Sequence, residues 1–117
     1  MKIDYGDGEK EALLGVYTLV VYEQEFRADL IQDLFGRAVM RREPEEEDVV
    51  FAVDYRDVNW TALTRVLWAA LKAADDSVPP FKAWAAALGP VDLNAVHLAL
   101  VPEALRMFFR TGAGGSE

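Results

Sequence analysis

The stretch from Asn59 to Ala74 constrains the fold more than any other part of the chain. Trp60, Leu63, Leu67, Leu71 and Ala74 recur at three- and four-residue steps, which places them on one stripe of a helix. Asn59 stands just before them and suits an N-cap, where a side-chain oxygen accepts from a backbone N–H that has no partner within the helix. Trp68 and Ala69-Ala70 widen the stripe, so this helix is predicted to be buried on more than one side.

The segments after it are also helical in pattern. Asp75-Asp76-Ser77 and Pro79-Pro80 end the first helix. Pro80 suits the first position of a short second helix carrying Phe81, Trp84, Ala85 and Leu88, which Gly89-Pro90 closes. Asp92 caps a last helical region anchored by Leu93, Val96, Leu100, Leu105, Phe108 and Phe109. Proline inside a helix costs ~3 kcal/mol, so Pro102 is expected to mark a kink or a new start. Thr111 to Glu117 is rich in glycine and reads as a flexible tail. These helices look too apolar for one buried stripe, so either a second copy or the sheet is expected to cover them.

The front half mixes strand and helix signals. Ile3 and Tyr5 alternate with Lys2 and Asp4 before Gly6-Asp7-Gly8, a hairpin signal with a weakly patterned return through Glu9 to Leu13. Val16 to Tyr22 has strand propensity, but Val16, Leu19, Val20, Phe26, Leu30, Ile31 and Leu34 repeat with helical spacing. Periodicity therefore predicts a helix from Tyr17 to Phe35, with a bend allowed near Arg27-Ala28 and Gly36 as its stop. Residues 37–48 carry no core pattern. Val49, Phe51, Val53 and Tyr55 alternate with Val50, Ala52 and Asp54, the clearest strand pattern in the chain. The expected fold is α+β and mainly helical, with three to four helices and a small antiparallel sheet from the N-terminal strand or hairpin and residues 49–55. Trp60, Leu63, Leu67, Leu71, Trp84 and Leu105 are expected in its core. One globular domain over residues 1–111 is expected, with residues 38–47 and 112–117 its most mobile parts.

Composition excludes much chemistry. The 117 residues contain no cysteine, one histidine (His97) and two serines (Ser77 and Ser116). Thiolate metal sites, cysteine nucleophiles and disulfides are thereby absent, and neither serine sits in a plausible triad. No phosphate-binding glycine loop and no zinc-ligand set occurs, so no cofactor, metal or catalytic residue is expected. His97 among Val96, Leu98 and Leu100 reads as a surface or core histidine. Asp54, Asp57 and Asn59 lack the glycine and terminal glutamate of a calcium loop. Twenty acidic residues against twelve basic ones give a formal charge of −8, which disfavours nucleic acid. The uncharged run Ala12–Tyr22 falls short of the ~20 residues of a membrane span, and Met1-Lys2-Ile3-Asp4 does not open like a signal peptide. The expectation is a cytoplasmic, non-enzymatic domain.

Two features are left for function. The charge is uneven, with fifteen acids and seven bases in residues 1–57 but five of each in residues 58–117. Glu43, Glu45, Glu46, Glu47 and Asp48 form its densest run, read either as a solvated loop or as a surface for a basic partner. Trp60, Trp68, Trp84, Phe81, Phe108 and Phe109 cluster in the back half, either as core or, at Trp84, Phe108 and Phe109, as a groove for a partner.

The order of these features resembles the small tail assembly chaperones of long-tailed bacteriophages and prophages. The resemblance rests on the N-terminal strand, on Tyr22-Glu23-Gln24-Glu25-Phe26 leading into Asp29-Leu30-Ile31-Gln32-Asp33-Leu34-Phe35-Gly36, and on the acidic loop. It continues through Asn59-Trp60 opening a helix to Leu67-Trp68, the Pro80–Gly89 segment and the final helix with its small-residue tail. It implies a holdase for the phage tape measure protein that recruits tail tube subunits, works in the host cytoplasm and is absent from the finished virion. It also implies, in many relatives, a frameshifted product extended beyond a tail like Thr111–Glu117. No catalytic residue is carried over. A structural or connector subunit of the particle and an acidic inhibitor or nucleic-acid mimic stay open beside it, as does self-association.

Overall fold

The computed structural model of the chain describes residues 1–6, 8–35 and 58–109. They form β1 (Lys2–Asp4), β2 (Glu9–Glu11), α1 (Val16–Phe26), α2 (Leu30–Phe35), α3 (Trp60–Ala74), α4 (Phe81–Ala87) and α5 (Leu93–Phe109). The fold is the mainly helical α+β class expected. Its small sheet is the antiparallel pair of β1 and β2, with Lys2 opposite Glu11, Ile3 opposite Lys10 and Asp4 opposite Glu9. Gly6 and Gly8 take φ values of +121° and +86° in the connection, a region open to glycine and costly for side chains. The strand expected over residues 49–55, the acidic run of residues 43–48, the stop at Gly36 and the tail of residues 112–117 lie outside the described residues.

The middle of the molecule is α3. It packs against α1, α2, α4, α5 and β2. Ala62, Leu63, Val66, Leu67, Trp68, Ala69, Ala70 and Leu71 are all buried, so its wide apolar surface is covered within one chain. Asn59 caps it as expected, its side chain accepting from the Ala62 N–H at 3.0 Å. Asp92 does the same for α5, accepting from the Ala95 N–H at 3.1 Å. Lateral ties join the layers: the Leu13 N–H donates to the Ala70 carbonyl at 3.0 Å, and the Asp92 N–H to the Tyr5 carbonyl at 3.0 Å.

The core differs from the sequence reading at three points. Trp60 is the first residue of α3 and lies beyond the packed middle, 37% exposed, with its ring 6.2 Å from that of His97. Leu105 is only half-buried at the core edge. The helix expected over Tyr17–Phe35 is two helices. Arg27 adopts a left-handed conformation (φ 54°) and donates its N–H to the Glu23 carbonyl, ending α1. Asp29 then caps α2 by accepting from the N–H groups of Ile31 and Gln32 at 2.8 and 3.1 Å.

That break changes which side of α1 is buried. The expected stripe ran Val16, Leu19, Val20 and on into Leu30, assuming one continuous helical phase. With the phase interrupted at Arg27, α1 buries Thr18, Val21 and Tyr22 instead, and Val16 is 74% exposed. Polar partners hold this orientation. The Thr18 hydroxyl accepts from the Gly15 N–H at 3.1 Å and donates to the Leu13 carbonyl at 2.6 Å. The Tyr22 hydroxyl donates to the Asp33 carboxylate at 2.7 Å.

Pro102 does not start a new helix; α5 runs through it as one element. Val96, Leu100, Val101 and Ala104 are buried on either side, so packing of both halves offsets the cost of the missing backbone bond.

Candidate functional site: an acid-rimmed groove at Trp84

A row of aromatic rings leads from the helical core towards the hairpin. Tyr22 meets Phe26 at 4.8 Å between ring centroids, Phe26 meets Trp68 at 5.6 Å and Phe81 at 5.0 Å, and Phe81 meets Trp84 at 6.0 Å. Tyr5 closes the row edge-on to Trp84 at 6.5 Å. The Phe26–Trp68 and Phe26–Phe81 contacts are edge-to-face, the arrangement favoured by the ring quadrupole. The Trp68 indole N–H donates to the Pro79 carbonyl at 2.8 Å, which fixes the entry to α4 and thereby the position of Trp84. The Arg65 guanidinium lies 5.0 Å over the Phe26 ring, a cation–π contact at the start of the row.

At the outer end of this row the hairpin, the end of α3 and α4 enclose a groove of about 510 Å³. Trp84, Leu71, Val78 and Leu88 contribute its apolar lining. Glu9, Lys10, Glu11 and Asp75 also line it, and the Glu11 carboxylate meets the N-terminal ammonium at 3.4 Å. The register sets Glu9 opposite Asp4 and Glu11 opposite Lys2 on the exposed face of the hairpin, while Lys10 shares the face of buried Ile3. Asp75 is held by its own turn: its carboxylate accepts from the Ser77 hydroxyl at 2.7 Å and the Ser77 N–H at 3.0 Å. Those two hydrogen bonds hold the Asp75 carboxyl below its ordinary range, so it is charged at neutral pH. Lys72 donates to the carbonyls of Asp76 and Val78 at 2.7 and 2.6 Å and pins the same turn from the α3 side.

The sequence-predicted partner residues meet this groove in part. Trp84 lines it, although most of its side chain is buried. Phe108 and Phe109 do not line it; they are half-buried in the last turn of α5, and Phe109 packs edge-on to Phe35 at 6.1 Å. Trp84 packs against Tyr5 and Phe81, and Phe109 against Phe35, so these rings have different neighbours. Glu43, Glu45, Glu46, Glu47 and Asp48 lie outside the described residues. Sequence reading missed Glu9, Glu11 and Asp75 as groove acids. The alternation of Glu9-Lys10-Glu11 was a usable signal for two of them, whereas nothing local places Asp75 beside the hairpin.

Among the described residues no three His, Cys, Asp or Glu side chains gather as a metal site requires, and no helix is long and apolar enough to cross a membrane. No protein-family model, curated protein or solved structure matches the chain.

Proposed function

We propose that this protein is a non-enzymatic tail assembly chaperone of a long-tailed phage or prophage, holding helical segments of the tape measure protein and recruiting tail tube subunits. The reading comes from the sequence resemblance. The observation that carries it is the groove at Trp84, an apolar floor with Glu9, Glu11 and Asp75 among its lining residues. Such a surface accepts one apolar face of a helix, with Lys or Arg side chains on the flanks of that helix meeting Glu9, Glu11 and Asp75. Apolar contact supplies grip, and the carboxylates select clients of matching charge. Grooves of a few hundred Å³ suit an anchor side chain with its neighbours rather than a whole helix. Affinity for a long client then comes from repeated weak contacts.

The test is co-expression with a phage tape measure protein, measuring soluble client. Ala87→Lys places a bulky cation on an exposed groove position and is expected to abolish solubilisation while leaving the fold intact. Glu9→Gln with Glu11→Gln is expected to slow association and reduce its salt sensitivity. Equal client solubility with and without the protein refutes the chaperone reading, and a structural or connector subunit of the particle takes its place.

A further inference from the structure

Four of the seven large hydrophobic residues exposed among the described residues lie on α1 or just before it. Val16 is 74% exposed, Tyr17 56%, Val20 43% and Leu13, just before the helix, 43%. These residues lie opposite the buried Thr18, Val21 and Tyr22 and share no position with the Trp84 groove. They continue into a shallow groove of about 600 Å³ between α1 and α2, where Leu19, Ala28 and Leu30 meet the charged Glu23, Arg27 and Asp29. Contiguous apolar patches of a few hundred Å² on a folded surface mark contact sites.

The charges on α1 say what covers it. Its first turn holds no acid and its last turn no base. Glu23 and Glu25 instead sit at the C-terminal end, where the helix dipole is already negative, with Arg27 just beyond as a nearby base. The helix is thus apolar and electropositive at one end, acidic at the other. An antiparallel copy of the same helix corrects both ends at once. We propose that α1 pairs with α1 of a second copy of this chain, antiparallel and across a two-fold axis level with residue 18.

In this register Val16 of each copy lies against Val20 of the other, with Tyr17 and Leu19 flanking the seam. Glu23 of each copy lies level with Leu13 of the other, next to the first-turn N–H groups that follow Gly15. Glu23 of each copy then faces the electropositive start of the opposite helix, and the isologous contact closes as a dimer. A parallel arrangement puts Glu23 beside Glu23 and is disfavoured by the same charges. An 11-residue helix is about 16 Å long, so the contact falls below the ~800 Å² per partner of a standard interface. The contact therefore belongs with small, transient interfaces.

Sedimentation velocity over a concentration series tests the pairing, and the absence of cysteine makes its orientation directly readable. The wild-type chain is expected to pass from monomer to dimer with rising concentration. Val16→Lys with Val20→Lys changes only exposed positions and is expected to raise the dissociation constant at least about tenfold, with unchanged far-UV circular dichroism. Under oxidation, Leu13→Cys mixed with Gln24→Cys is expected to cross-link. Leu13→Cys alone is not, because antiparallel pairing sets its two copies about 15 Å apart, beyond the span of a disulfide. A monomer at every concentration overturns the proposal, as does a dimer that the lysine pair leaves intact. Efficient cross-linking of Leu13→Cys with itself overturns the antiparallel geometry. A loss of monomer stability in the lysine pair, without dimer in the wild type, shows that the chain's own residues cover this face and overturns it as well. None of these readings depends on the client, so the chaperone assignment stands or falls separately.

Discussion

Replacing Tyr22 by phenylalanine removes the hydroxyl whose hydrogen bond ties α1 to α2. Tyr22 is fully buried, and its hydroxyl donates to the Asp33 carboxylate at 2.7 Å. A hydrogen bond to a charged group contributes about 1.5–3 kcal/mol, against about 1 kcal/mol for a neutral pair. Asp33 is half-buried, so water partly replaces the lost donor and the lower end of that range applies. Phenylalanine keeps the ring contact with Phe26, so packing is conserved. The expected loss is about 1.5 kcal/mol, a drop of several degrees in melting temperature for a domain of this size. Urea unfolding of Tyr22→Phe, Asp33→Ala and the double variant measures it, and the cycle should show that the two losses are strongly non-additive.

The same residue has a pH signature. Burial first, then the adjacent Asp33 carboxylate, raise the Tyr22 hydroxyl well above its ordinary value of 10.0. The folded state therefore holds a proton that the unfolded chain releases, and stability falls as pH rises above about 10. Tyr22→Phe removes that share of the alkaline loss. Additive effects in the cycle, or an alkaline unfolding profile unchanged by the substitution, refute the reasoning that this bond orients α1.

Leu67 is fully buried at the centre of α3, so Leu67→Ala should cost about 2–5 kcal/mol, while Leu98→Ala at an exposed position of α5 should stay within about 0.5 kcal/mol in the same denaturation assay. Burial holds the His97 imidazole below its ordinary value of 6.5, so the folded state binds fewer protons than the unfolded chain near that pH. Stability should thus be complete above about pH 6.5 and decline below it, and His97→Gln should flatten that limb of a melting-temperature profile.

Local chemistry made much of this fold readable from the chain alone. Asn59 and Asp92 cap helices because a short polar side chain beside an unpaired N–H has the same use in almost any context. The turn between β1 and β2 needs positive φ, and Gly6 and Gly8 meet that need whatever packs around them. The breadth of the α3 stripe announced a helix covered on several sides, which requires only counting apolar positions. Non-enzymatic character, by contrast, was inferred from missing residue types, and it stays a part of the proposal.

Tertiary structure decided what depends on phase and on distant partners. Two faces of α1 had helical spacing, Val16 with Val20 and Thr18 with Val21 and Tyr22. Hydrophobicity favoured the first, but the second satisfies Tyr22 through Asp33 and Thr18 through Leu13, and leaves the first exposed. Aromatic content could not tell Trp84, at the rim of a groove, from Phe109, packed on Phe35, since both belong to apolar helix faces. Nor could it bring Asp75 to the hairpin's Glu9 and Glu11, residues far apart in sequence that meet only because α3 ends beside β2. A buried polar group needs its partner in space, and the chain order does not carry that distance.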